Sequence, residues 1–358
     1  MDAPNDTRTT EVLASLRERV TKAARTRTPL SLHGGGTHHC LRPKPEGEPL
    51  SLADYAGVID YAPSELVIVA RAGTRLLEIE ALLAEHGQQL AFEPPRSAAG
   101  ATLGGVIATG LSGPARPYAA AVRDHVLGLA LLSIRGEVLQ FGGKVMKNVA
   151  GYDVSRLVVG AWGAFGPMLE LAVRVVPRPA LVRCLRWPMP LSEAQVWMQS
   201  AGSQPWPLTG LCHDGECLHV RFAGAESAVV AAVDSLPAGA VGETSDFWTQ
   251  LRDWQLPFFQ SPIPLWRLVL PPAAAPVDIP GAVLWDWGGG QRWLKSAAAD
   301  FDIKARAAAA GGYARRFDAS YARRDADLPP ARRALEARLR QSFDPDGLFN
   351  PELSAEEG

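Results

Sequence analysis

An α+β fold in two domains is what the sequence predicts, on three observations. Segments whose apolar residues recur at helical spacing are interleaved with short apolar runs of strand character. At 358 residues the chain is too long for one small core. Its composition also changes after Val176-Pro177-Arg178-Pro179, where closely spaced prolines make a stiff exit from a domain. Before that point the chain is dense in glycine loops, and after it tryptophan is more frequent. The expected division is residues 1–180, a reduced α+β domain over 181–310, and a C-terminal helix and tail over 311–358 that return to the first domain.

Charge and composition exclude several classes. The net charge is −2, with no polybasic block or acidic tail, so neither nucleic acid nor an anionic membrane surface is expected as the main partner. The first residues lack the basic and apolar regions of a signal peptide, and no apolar run is long enough to span a bilayer. Four cysteines without close repeated spacing fit a reducing compartment. A cytoplasmic protein is expected.

Taken in order, Leu13, Leu16 and Val20 after Thr10 predict a first helix, acidic at its start and basic toward its end. The apolar run Pro29 to Leu32 leads into His33-Gly34-Gly35-Gly36-Thr37-His38-His39, whose consecutive glycines can turn several backbone N–H groups toward one anion. This is not the dinucleotide fingerprint that opens a helix: position 39 is histidine, and Leu41 to Glu48 carries two prolines. A nicotinamide-binding Rossmann domain is therefore disfavoured.

Leu66 to Ala70 reads as a buried strand, followed by a helix with Thr74 as cap, Leu76, Ile79 and Leu83 on one face, and Gly87 at its end. Small residues dominate from Ala99 to Arg116, including Thr102, Gly104, Gly105 and Gly110. That stretch reads as a loop, either leaving room for a flat ligand or loosely coiled at the surface. Val126 to Leu132 and Glu137 to Phe141 form a hairpin pattern with Gly136 in the turn. In the next stretch, Gly142 to Gly166, Asp153 can cap a short helix and Gly160 can end it in the left-handed conformation. Gly163 and Gly166 precede the apolar run Met168 to Val176, where bare backbone can approach a ligand or make a tight connection between strands.

In the second half, Asp214-Gly215 predicts a two-residue hairpin turn that puts Cys212 opposite Cys217. His213 and His219 nearby bring a metal to mind, but strand alternation sends His213 to the other face from Cys212, and no metal site is assigned. Phe247, Leu251 and Trp254 share one helical face, read as packing. Pro271 to Pro276 is a connector, Val283 to Trp285 a strand entering the turn Asp286 to Gly290, and Ala297 to Ala310 a helix lying on a sheet. Pro329 and Pro330 open a last helix with Leu335, Leu339 and Phe343 on one face, stopped by Asp344-Pro345-Asp346-Gly347.

Three glycine-dense loops, each attached to a strand, suit a pyrophosphate with an adenine at one end and a ring system at the other. Here the sequence resembles flavoproteins of the vanillyl-alcohol-oxidase family, with its PCMH-type FAD-binding domain, from Pro29 to Pro179 and again in Phe343 to Pro351. More narrowly, Gly143 to Leu157, Phe247 to Phe259 and Asp286-Trp287-Gly288-Gly289 are similar to the FAD-binding subunits of bacterial glycolate oxidases, the smaller flavin subunit of those complexes. The resemblance implies two α+β subdomains with FAD between them and a smaller, ferredoxin-like cap domain. It also implies cofactor contacts at His33, Gly34, Gly35, Gly36, Thr37, His38, Thr102, Gly104, Gly105, Gly110, Asp153, Gly163 and Gly166. Thr37 stands where some relatives attach the flavin through histidine, and His38 comes one place late, so the FAD is expected to be non-covalent. Gly163-Ala164-Phe165-Gly166 replaces the family's Gly-Thr-Leu-Gly and loses a hydroxyl.

The implied reaction is oxidation of a small 2-hydroxy acid, glycolate, to glyoxylate. It needs hydride transfer to the flavin, a base for the hydroxyl proton and a cation for the carboxylate. Arg116 and Lys147 are the candidate carboxylate anchors, arginine being suited by its paired hydrogen bonds; Tyr152 and His33 are candidate proton handlers. The implied partners are a larger flavin subunit and an iron–sulfur subunit, with at most peripheral membrane association through the complex. An electron-relay or assembly subunit without its own substrate oxidation, and a stand-alone dehydrogenase, remain alternatives.

Overall fold

The computed structural model describes residues 7–96, 100–143, 153–236, 239–244, 246–322 and 328–354. The chain opens on α1 (Thr7–Thr26), which buries Leu16, Val20 and Ala23 against β1 (Leu30–His33) and β2 (Glu48–Ser51). These two short strands pair in parallel, Leu30 with Glu48 through His33 with Ser51. Then come β3 (Val58–Ala62), β4 (Val67–Arg71), α2 (Leu76–Glu85), β5 (Gln88–Gln89), α3 (Leu103–Thr109), α4 (Arg116–Ala119), α5 (Val122–His125), β6 (Val126–Leu132), β7 (Val138–Gly142), α6 (Val154–Val158), β8 (Met168–Arg174) and β9 (Val176–Pro177).

An antiparallel five-stranded sheet, in the order β3-β4-β8-β6-β7, carries the first half. Alternation along β4 sends Ile68 and Ala70 into the core formed with Leu76, Ile79 and Leu83 of α2 and Leu103, Val106 and Ile107 of α3. The small-residue stretch is thus partly a helix rather than a loop. Thr102 caps it by accepting the Gly105 N–H, and Gly110, at φ +63°, ends it. Thr74 does not cap α2. Arg75 holds that position, and the Thr74 hydroxyl instead bonds the carbonyls of Arg71 and Gly57. Gly87 follows the end of α2 in the left-handed conformation, and Gly160 does the same after α6.

After β9 the chain builds an eight-stranded sheet from β10 (Leu181–Pro188), α7 (Leu191–Ala201), β11 (Leu208–His213), β12 (Cys217–Gly224), α8 (Glu226–Asp234), β13 (Val241–Glu243), α9 (Asp246–Arg252), α10 (Pro257–Gln260), β14 (Leu265–Val269), β15 (Ala282–Asp286), β16 (Gln291–Lys295), α11 (Asp300–Ala309) and β17 (Tyr313–Arg316). The strand order is β13-β10-β12-β11-β15-β16-β14-β17. Its first four strands with α7 and α8 make a βαββαβ unit of ferredoxin-like connection. The other half is joined to it through the pairing of His213 with Trp285. The last strand of this sheet lies beyond residue 310.

Two sequence expectations fail here for identifiable reasons. The hairpin turn spans Asp214, Gly215 and Glu216, because the Asp214 carboxylate accepts the N–H groups of both Glu216 and Cys217. Register shifts accordingly: Cys212 faces His219, not Cys217, and His213 faces Leu218. Trp254 lies beyond the end of α9 at φ +56° and so does not share its face, although Phe247, Leu251 and Trp254 do pack in one apolar cluster, as expected.

The C-terminal α12 (Pro330–Phe343) packs Leu339 and Phe343 on the first core, Phe343 against Phe141 and Phe165. Leu335 is 55 % exposed and does not share that contact. Phe349 then pairs with Leu30 beside β1.

Candidate functional site

All three glycine-rich segments border one cavity system. A space of about 290 Å³ is lined by Gly34, Gly35, Gly36, Thr37 and His38 from the loop after β1, by Thr102 and Gly105 at the start of α3, and by Trp162. A smaller space of about 60 Å³ adjoins it and adds Gly104, Gly163 and Gly166. His33 borders both, at the exposed end of β1.

The glycines are required by contacts between the loops as much as by room for a ligand. A Cβ at Gly35 would come within 1.6 Å of the Gly100 carbonyl oxygen, and one at Gly34 within 2.5 Å of the Thr102 hydroxyl. One at Gly104 would meet Ala72, one at Gly163 the Asn350 amide and one at Gly166 the Leu132 carbonyl, each at 2.8 to 2.9 Å. Gly36 differs: it has φ +68° and open space where a side chain would be. Gly110 borders a different cleft, described below, and a Cβ there would lie 2.9 Å from the Gly160 Cα. Asp153 lines none of these spaces. Its carboxylate caps α6, accepting the Arg156 N–H at 3.2 Å and the Ser155 hydroxyl at 2.9 Å. Lys147 and Tyr152 lie outside the described residues.

His38 brings a buried polar ring to this cavity. Its Nδ1 is 3.1 Å from the Thr37 hydroxyl, while its buried Nε2 has no hydrogen-bond partner among the described residues. Burial lowers its pKa to about 4, so the ring is neutral at pH 7. Trp254 meets it edge to face at 5.9 Å. A buried ring nitrogen left open, bare backbone at Gly36 and Gly105, and an apolar floor of Leu32, Ala108 and Trp162 fit the phosphates and flat rings of an FAD.

Sequence reasoning missed what ties these loops together. Asn350, buried at φ +49°, accepts the Leu32 N–H and an Arg42 Nη2–H on its Oδ1, both at 2.7 Å. It donates from Nδ2 to the Trp162 carbonyl at 2.7 Å. Arg42 also donates to the Leu32 carbonyl and, through Nε, to Glu352 at 2.7 Å. The C-terminal segment therefore holds the first and third loops against each other. A left-handed Asn before proline was the available signal.

Beyond Trp162 and Thr109, which line both spaces, lies a cleft of about 110 Å³ between the first half and the large sheet. Arg116, the predicted anchor, lies over the Trp287 ring at 4.4 Å, and Arg267 of β14 lies against the same ring at 5.1 Å. The indole N–H of Trp287 reaches across to the Gly113 carbonyl at 3.0 Å. Arg267 donates from Nε to the Gln291 side chain at 2.6 Å and from Nη1 to the Tyr321 hydroxyl. Gln291 in turn donates to Asp286 at 3.2 Å. Burial raises the Asp286 pKa to about 7, and burial with the nearby Arg267 lowers that of Arg116. Arg267, Gln291 and Tyr321 sit on separate elements, so no local motif announced them, whereas Asp286 stood in the Asp286-Trp287-Gly288-Gly289 motif without a role.

Among the described residues no cluster of His, Cys, Asp or Glu could hold a metal ion. His219 instead stacks on Phe247 at 3.6 Å and pairs with Asp214 at 2.9 Å. No described helix is long and apolar enough to cross a membrane.

Residues 10–142 match a family model described as an FAD binding domain. Glycolate oxidase subunit GlcE of Escherichia coli strain K12 is 44% identical over 340 residues, covering 94% of this chain and 95% of that protein. Glycolate oxidase subunit GlcD of Bacillus subtilis strain 168 is 30% identical over 162 residues, covering 44% of this chain and 34% of that protein. A solved structure of alkyldihydroxyacetonephosphate synthase shares the fold with a TM-score of 0.67 at 15% identity, over 94% of this chain and 75% of that one. The chain therefore carries an FAD-binding domain and belongs to the family of the glycolate oxidase subunit GlcE.

Proposed function

We propose that this chain is the FAD-binding subunit of a glycolate oxidase complex, oxidising glycolate to glyoxylate and passing the electrons to partner subunits. The observation that carries the reading is that the glycine-lined cavity and the arginine-lined cleft share Trp162 and Thr109 in their linings, which puts the two side by side. A cofactor reaching along the first would present its ring to a small acid in the second.

In this reading the backbone of Gly34, Gly35, Gly36 and Thr37, with Thr102, Gly104 and Gly105 opposite, encloses the pyrophosphate, with His33 and His38 at the rim. Gly163 and Gly166 border the adenine end. Gly110 belongs to the cleft, and Asp153 acts indirectly, by fixing α6. When bound, FAD supplies an acceptor for the hydride leaving the α-carbon. Arg116, half-buried and stacked on Trp287, pairs with the carboxylate and fixes the α-carbon; the stacking keeps the guanidinium plane in one orientation. The hydroxyl proton leaves as the carbonyl forms. Tyr152, as its phenolate, or the imidazole of His33 is the proposed acceptor of that proton, and Lys147 a second anchor.

Both glycolate oxidase relatives are named as subunits, which supports a multi-subunit assembly. A larger flavin subunit and an iron–sulfur subunit are the proposed partners, with contact to the inner face of the cytoplasmic membrane only through them. The proposed division of labour gives residues 1–180 to the cofactor, the sheet from residue 181 through β17 to covering the cleft, and the C-terminal segment to fastening the loops.

Anaerobic mixing of the FAD-loaded complex with glycolate tests the reading. Bleaching of this chain's flavin is expected, and its slowing in Arg116→Ala at the same glycolate concentration. Unchanged bleaching in that variant removes Arg116 from the role. No bleaching of this chain's flavin in the intact complex overturns substrate oxidation here.

A further inference from the structure

The cleft beyond Trp162 holds more positive charge than one carboxylate can balance. Arg116, Arg267 and Arg315 line it half-buried and Arg123 lines it exposed, and its described lining contains no Asp or Glu. In the β14–β17 register Arg267 stands directly opposite Arg315, a placement in which like charges repel. Arg116 adds another half-buried guanidinium, on the indole that Arg267 also touches. Holding Arg116 and Arg267 half out of water, with no Asp or Glu in the described lining, costs free energy that an anionic ligand recovers.

The fixed contacts sort the three by availability. Arg315 donates to the Tyr321 carbonyl and lies over its ring at 4.6 Å. Arg267 is held by Gln291 through Nε and by the Tyr321 hydroxyl through Nη1, which leaves its Nη2 end for a ligand. Arg116 meets an indole rather than a carboxylate. Two guanidinium groups on different elements, both within reach of the Trp287 ring, mark out two separate acid positions. The modest volume restricts the ligand to a short acid.

We propose that the cleft takes short dicarboxylates of the 2-hydroxy acid class, one carboxylate on Arg116 and the second on Arg267 with Arg315 behind it. A monocarboxylate such as glycolate fills the Arg116 position and leaves the Arg267 position to water. The inference rests on the reading of this cleft as the substrate pocket, and it deepens that reading by naming a second acid subsite.

The test uses calorimetric titration of the FAD-loaded full-length chain with acids that cannot be oxidised, acetate against malonate and succinate. It is paired with competition by hydroxymalonate and malate against glycolate oxidation in the complex. One additional charge-assisted contact predicts dicarboxylates binding about tenfold or more tighter than acetate. Arg267→Gln is expected to collapse that ratio toward one, while Arg267→Lys keeps part of it. A wild-type ratio near one overturns the proposal, as does a ratio untouched in Arg267→Gln. The titration reads binding alone, so a chain that binds dicarboxylates but leaves glycolate unoxidised refutes the catalytic reading and not the subsite; glycolate oxidation without a dicarboxylate preference does the reverse.

Discussion

The side-chain amide of Asn350 donates to the main-chain carbonyl of Trp162 at 2.7 Å, across 188 residues of sequence. Through its other end it holds the Leu32 N–H, so one buried side chain joins two of the loops that border the cavity proposed for FAD. Asn350→Ala leaves a buried donor and a buried acceptor without partners, at about 1 to 3 kcal/mol each. Thermal unfolding should show a clear loss of stability, and FAD titration a weakened affinity. Glu352→Gln, which removes the charge opposing Arg42, should move both in the same direction by less.

Gly35 and Gly36 are neighbours with different reasons to be glycine. Gly35→Ala drives a methyl group into the Gly100 carbonyl, so the first loop must leave the second and FAD binding should be lost. Gly36→Ala meets no atom and strains only a left-handed backbone, about 1 to 2 kcal/mol. FAD affinities of the two variants should therefore differ widely; equal losses would contradict the contact map.

Arg116 makes a contact that any 2-hydroxy acid shares. Arg116→Ala should lower kcat/KM for glycolate about 10- to 100-fold, the worth of a charge-assisted pair. Arg116→Lys should recover only part of this, because an ammonium neither forks nor stacks flat on Trp287. Steady-state kinetics on the complex reads both.

Asp286 gives a pH dependence of defined sign. Its folded pKa of about 7, above the ordinary 3.8, means that the folded protein keeps a proton that the unfolded chain releases. Stability should therefore fall as pH rises from about 4 to 7 and level off above that. Around this carboxyl, Glu93 raises the pKa, while Arg221 and the hydrogen bonds from Trp287 and Gln291 lower it. Denaturant unfolding across this range should show the slope in the native protein and a reduced one in Asp286→Asn. His38 contributes oppositely: with its pKa lowered to about 4, it costs stability as pH falls from 6.5 toward 4.

Much of the fold was legible because local chemistry dictates it. Gly87, Gly136 and Gly160 occupy the left-handed positions that their places in the sequence require. The loop after β1 was recognisable as consecutive glycines following a strand. Small side chains concealed α3, since Thr102 and Gly110 bracket a helix whose interior glycines read as loop. The Asp214 side chain lengthened a turn that Asp-Gly alone predicts to be shorter. Tertiary pairings were out of reach altogether. Asn350 with Leu32, and Arg267 opposite Arg315, depend on elements far apart in the chain, and no periodicity encodes them.

The most direct measurement of the central claim, that three loops enclose one FAD, is equilibrium FAD titration of the purified full-length chain followed by its visible spectrum. The account predicts one FAD per chain, a yellow protein and release of the flavin on acid precipitation, with Gly35→Ala remaining colourless. A colourless native chain that takes up no FAD, or equal uptake by Gly35→Ala, would contradict it.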